Sequence, residues 1–134
     1  MNSPAFFARA SGSAGLRVVG ALFVLTICVL SLIPGSWQAR TGLPGPVEHV
    51  IAYLGTALTL GVGARSGRHL GRILVLLSVL AGGLEIAQHW SPGRDPAIVD
   101  WVAGTLGAAV GLCIAFVLRR GAIAWRQTRN GDQV

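Results

Sequence analysis

Four apolar stretches, at 16–33, 47–64, 70–90 and 97–118, occupy most of this 134-residue chain. Each approaches the ~20 residues that an α-helix needs to cross a bilayer. Backbone polar groups in lipid must be paired within their own segment, so helices are the form such runs take. The linkers between them, "PGSWQARTGLPGP", "RSGR" and "SPGRDP", are built from turn and breaker residues. Connections this short predict antiparallel neighbours. The expected fold is all-α: a polytopic membrane protein forming an antiparallel four-transmembrane-helix bundle. Residues 1–15 form a cytoplasmic N-terminal segment in this reading, 16–118 the transmembrane domain, and 119–134 a basic cytoplasmic tail.

Composition agrees with a membrane protein. Apolar residues make up 52% of the chain and charged residues only 12%, too little charge to dress the surface of a soluble domain. The net charge of +6 comes from arginines that lie between the apolar runs. They do not gather on one face, so the charge points to an anionic membrane surface and not to nucleic acid. Arg9, Arg17, Arg65, Arg68, Arg72, Arg119, Arg120, Arg126 and Arg129 fall on one side of the four-span topology. Arg40 and Arg94 fall on the other. Basic flanks stay in the cytoplasm, which places both termini inside. The first span lacks a clear small-x-small cleavage site after it and is expected to remain. Cys28 and Cys113 lie toward opposite leaflets, some ~15 Å apart in depth and beyond disulfide reach.

Three of the five acidic residues, Glu85, Asp95 and Asp100, sit in the stretch "EIAQHWSPGRDPAIVDW", at the outer surface in this topology. Pro92 is expected to end the third helix near Trp90. Pro96 suits the first turn of the fourth, with Asp95 as its N-cap. Glu85 and Asp100 would then lie roughly 6–8 Å below their helix ends, at matched depth. Glu85, Gln88 and His89 share a helical face, as do His49, Tyr53 and Thr56. Asp100 heads a stripe with Gly104, Gly107 and Gly111, and small residues mark faces where membrane helices approach closely. That stripe serves either an internal seam, the default with four spans to pack, or a homodimer seam. The expected site is an outward-facing polar pocket between the second, third and fourth helices, capped by Arg94. Trp37, Trp90 and Trp101 would form an interfacial belt at its level.

These residues resemble two motifs of the VanZ-like family. Glu85-x-x-Gln88, then Pro92-Gly93-Arg94, then Asp100 and the Gly107-x-x-x-Gly111 run are similar to its second motif. His49-x-x-Ala52-Tyr53 resembles its first. The resemblance covers the last three spans. Gly45 and Pro46 stand where the family commonly has Asp-Lys, and Gly104 where it commonly has Asn, so roles of those groups do not carry over. The family is named for a protein linked to low-level resistance to teicoplanin. The resemblance implies a multi-pass protein of the bacterial cytoplasmic membrane with an envelope-related role, and it assigns no reaction.

Three functions are compatible with this pattern. In the first, His49, Tyr53, Glu85, Gln88, Arg94 and Asp100 line a pocket that binds an envelope component, with membrane lipids, a lipid-linked envelope precursor or a glycopeptide-related ligand as partners. In the second, Glu85 and Asp100 act as the acid/base pair of an intramembrane hydrolase or transferase. In the third, the polar network only holds the bundle of an accessory subunit together. His49, His89, Glu48, Glu85 and Asp100 include metal-ligating types, but no paired-His signature is present; no metal or cofactor is assigned. The polar residues cluster at one end and do not continue through the membrane, which argues against a channel.

Overall fold

The computed structural model describes residues 4–38 and 41–131 and contains four α-helices, with no strand among the described residues. They are α1 (Pro4–Leu32), α2 (Gly45–Val62), α3 (Gly67–Gln88) and α4 (Ile98–Gly131), with a single 3₁₀ turn at Gly35–Trp37. Arg40 and the ends of the two terminal segments lie outside the described residues. Three segments are long and apolar enough to cross a membrane: Ala14–Leu32, Gly67–Gln88 and Ile98–Arg129. Their outward faces carry Val18, Leu25, Leu76, Val79 and Val117, all well exposed. Such a surface is stable only when something other than water covers it, and the chain is therefore described as membrane-embedded.

The expected second span is the exception. α2 has 18 residues and carries Glu48 in its first turn, next to His49. Its packing explains why it tolerates these groups. α2 and α3 each touch all three other helices, whereas α1 packs on α2 and α3 and makes no contact with α4 among the described residues. The most extensive of the contacts of α2 is with α4, along the face that starts beside its polar first turn. Tyr53, Thr56 and Ala57 on α2 are fully buried, and the hydroxyl of Thr56 donates to the Ala52 carbonyl of its own helix at 2.8 Å.

The most extensive interface joins α2 and α4, and these two run parallel. Gly45 lies beside Asp100, Val50 beside Gly107, Leu54 beside Gly111 and Gly61 beside Ala115. A Cβ on Gly107 would stand 2.4 Å from the Val50 carbonyl oxygen, and one on Gly111 2.4 Å from that of Leu54. The glycine stripe is therefore an internal seam along which two backbones nearly touch. α3 is antiparallel to α4. The Trp101 indole lies against Gly82 and its N–H donates to the Ser78 carbonyl at 3.0 Å, while the Ser78 and Thr105 hydroxyls pair at 2.9 Å.

Helix ends differ from expectation in four places. α1 begins at Pro4 and not near residue 16, and runs through the Ser-Gly stretch of the lead-in without a break. α3 stops at Gln88, two residues before Trp90. Tight turns follow, in which the Trp90 and Ser91 amides donate to Ala87 and Gln88. α4 starts at Ile98, so Pro96 lies outside the helix and Asp95 is not its cap. Ala97 occupies that place and accepts from the amides of Asp100 and Trp101. Finally, α4 continues through the basic tail to Gly131. At 1.5 Å per residue its 34 residues span about 51 Å, well beyond a ~30 Å hydrocarbon core. In the extension Arg120 lies 4.6 Å over Phe116 and Arg129 5.3 Å over Trp125.

Candidate functional site

Four chain segments meet at one end of the bundle: the α1–α2 loop, the N-terminus of α2, the C-terminus of α3, and the α3–α4 loop with the first turn of α4. The two loops dock on each other. Gly35 donates to the Pro92 carbonyl at 3.0 Å, and a Cβ on Gly35 would lie 2.0 Å from the Gly93 carbonyl oxygen. Gly93 holds a φ of 73°, in the left-handed region open to glycine at little cost. The Pro92-Gly93-Arg94 turn can in this way press its backbone onto Gly35 and present Ser91 and Arg94 to the end of α1. Ser91 Oγ donates to the Leu32 carbonyl at 3.3 Å, Arg94 Nε donates to that of Ile33 at 3.2 Å, and Arg94 Nη2 donates to that of Leu30. A helix C-terminus leaves its last carbonyls without intrahelical partners and carries partial negative charge, so a guanidinium suits it well.

The group found against Glu85 is an imidazole: His49 Nε2 lies 3.5 Å from Glu85 Oε1. The other carboxylate oxygen, Oε2, accepts the Ala97 amide at 3.0 Å. One side chain from the end of α3 therefore satisfies a free amide at the start of α4, where the dipole favours an anion. Glu85 is 8% exposed and Gln88 5%. His49 is held from behind by a 3.0 Å contact between Nδ1 and the Gly45 carbonyl one turn earlier. Its ring stacks loosely on Tyr53, at 6.4 Å between centroids and 12° between planes.

Asp100 completes the group. It lies in the first turn of α4, with its carboxylate beside Gly45. Its Oδ1 is buried and has no hydrogen-bond partner. One donor atom each from His49, Glu85 and Asp100 falls within a set no more than 4.8 Å across. The expected matching of Glu85 and Asp100 in depth is met. Their depth is shallower than expected, since Glu85 is three residues from the end of α3 and Asp100 two residues inside α4.

Two clefts adjoin this group. One, of about 370 Å³, is lined by polar groups that include Gln38, Glu48, Gln88, Arg94, Asp95 and Asp100. The second, of about 330 Å³, shares Gln38, Glu48, His49, Gln88 and Arg94 and continues along Ile27, Leu30, Ile51, Ala52 and Tyr53 between α1 and α2. Of the six anticipated residues, His49, Gln88, Arg94 and Asp100 line the first cleft and Tyr53 the second, whereas Glu85 touches His49 but lines a separate groove between α3 and α4. His89 follows the last turn of α3, its Nδ1 meets the carbonyls of Glu85 and Ile86, and together with Glu85 it lines this groove and not the two polar clefts. Trp37 and Trp90 are 79% and 78% exposed, as belt residues would be, whereas Trp101 is partly covered by α3.

Gln38, the Gly45 carbonyl and the Ala97 amide were not legible as parts of this site. Gln38 sits in a loop with no periodicity, and main-chain groups leave no residue-type signal. Glu48, which the sequence places next to His49, accepts from the Thr41 hydroxyl across the mouth of α2. Comparison with protein-family models, with curated proteins and with solved structures finds no match to this chain.

Proposed function

We propose that this protein is a VanZ-like, four-span protein of the bacterial cytoplasmic membrane, with both termini inside, that binds an amphiphilic envelope component at its outer surface. The observation that carries the reading is the pair of adjoining clefts with shared polar residues. The polar cleft holds hydrogen-bonding groups of both signs. Its neighbour runs down the α1–α2 face past Ile27, Leu30 and Ile51. A lipid-linked precursor matches that layout, with its head group among Gln38, Gln88, Arg94 and Asp95 and its chain along the apolar wall. The excess of arginines at the opposite end supports an extracytoplasmic opening. The residues shared with the VanZ-like motifs support an envelope role.

The test is lipid analysis by mass spectrometry of protein extracted in native-membrane discs. The expected result is enrichment of a lipid-linked envelope precursor over the bulk membrane, lost in Gln88→Leu at unchanged expression. A lipid profile identical to that of the bulk membrane overturns the reading. The His49–Glu85 contact favours one alternative, an intramembrane hydrolase or transferase with a carboxylate as acid/base. Conversion of a labelled precursor by the purified protein distinguishes it from binding alone.

A further inference from the structure

His49, Glu85 and Asp100 place one electron-pair donor each within 4.8 Å of one another, and the first two are held by main-chain groups outside the cluster. His49 Nδ1 lies 3.0 Å from the Gly45 carbonyl. A carbonyl only accepts, so Nδ1 carries the ring proton and the lone pair of a neutral imidazole is on Nε2. That lone pair faces Glu85 Oε1 at 3.5 Å. Glu85 Oε2 is engaged by the Ala97 amide, which leaves Oε1 for the centre. Asp100 adds a buried Oδ1 with no hydrogen-bond partner. Three acceptors this close repel unless a proton or a metal cation lies among them, and a metal ion can engage all three at once.

We propose that His49, Glu85 and Asp100 bind a divalent transition-metal ion of the zinc or manganese class. The donors suit it: one imidazole nitrogen and two carboxylate oxygens form a set that such ions accept. A tetrahedral ion with bonds of ~2.1 Å separates its ligands by about 3.4 Å, and the His49–Glu85 pair is at 3.5 Å. The third ligand lies within the 4.8 Å span of the group. Outer contacts of the kind made by Gly45 and Ala97 hold metal ligands in orientation and set the imidazole tautomer. Two carboxylates with a divalent cation are neutral together, which offsets the cost of placing both near the apolar region. The cleft beside Asp100 leaves room for a further ligand. This proposal rests on the three side chains alone, and its test reads metal without any envelope ligand.

The protein is purified with a non-histidine tag, stripped with chelator and dialysed against a series of ZnCl₂ concentrations. The expected result is saturable uptake of one zinc per chain. Asp100→Asn and His49→Gln lower the affinity by about tenfold or more, while Asp95→Asn, in the same cleft but outside the triad, retains it. Cobalt(II) in place of zinc gives visible ligand-field bands that His49→Gln abolishes. Absence of saturable uptake by the wild-type chain, or unchanged affinity in Asp100→Asn, overturns the site. Should neither triad variant fold, the wild-type cobalt spectrum decides: no bands at saturating cobalt excludes it.

Discussion

Glu85 grips Ala97 and faces His49 at once, with Oε2 3.0 Å from the Ala97 amide and Oε1 3.5 Å from the imidazole. A single carboxylate thereby ties the end of α3 to the start of α4 and to α2. Glu85→Ala leaves the Ala97 amide without its acceptor and is expected to cost about 1–3 kcal/mol. Glu85→Gln keeps a carbonyl oxygen in the same place and should cost visibly less. Thermal unfolding of both variants in detergent checks the order. Equal losses would mean that the amide contact contributes nothing.

The α2–α4 seam predicts a strong contrast between glycines. Gly107→Ala puts a methyl against the Val50 carbonyl and should destabilise by about 1–3 kcal/mol through overpacking. A Cβ on Gly83, in contrast, meets nothing within 4 Å. Gly83→Ala is expected to be neutral or to stabilise α3 by up to about 1 kcal/mol, because it removes backbone freedom from a helix. Melting temperatures of the two variants in one detergent provide the comparison.

Arg94→Lys should behave as a disruptive change. The guanidinium reaches the carbonyls of Ile33 and Leu30 from two nitrogens, a fork that a single ammonium cannot reproduce. The expected effect is local: faster hydrogen exchange in the last turn of α1, with protection on the α2–α4 seam unchanged. Uniform loss of protection would show that Arg94 supports the whole bundle.

Orientation is open to direct labelling. Ser36 and Ser66 are both exposed, in the α1–α2 and α2–α3 connections. In a background with Cys28 and Cys113 replaced by Ala, a membrane-impermeant maleimide should label Ser36→Cys in intact spheroplasts. It should label Ser66→Cys only after permeabilisation. The reverse pattern would invert the proposed topology.

Much of the site was legible because its side chains are costly where they are. Glu85, Asp100 and His49 stand out against apolar runs, and helical spacing is enough to put Gln88 on the face of Glu85. The glycine stripe also announced a close seam. Its partner did not follow from chain order. Short linkers favour sequential antiparallel neighbours, yet the closest approach is between α2 and α4, which run parallel and are separated by a whole helix. Arg94 was legible as a cap on the pocket, but its hold on the carbonyl end of α1 was not, because no residue type betrays a main-chain group.

Apolar length and periodicity by themselves determined that this chain is helical, membrane-embedded and polar at one end, because lipid tolerates little else. Only the tertiary structure decided which donors meet. The meeting of His49, Glu85 and Asp100 depends on the axial register of three helices. Between α2 and α4 the close approach is at Gly107 and Gly111, and between α3 and α4 at Gly82, where the missing side chain is what permits it.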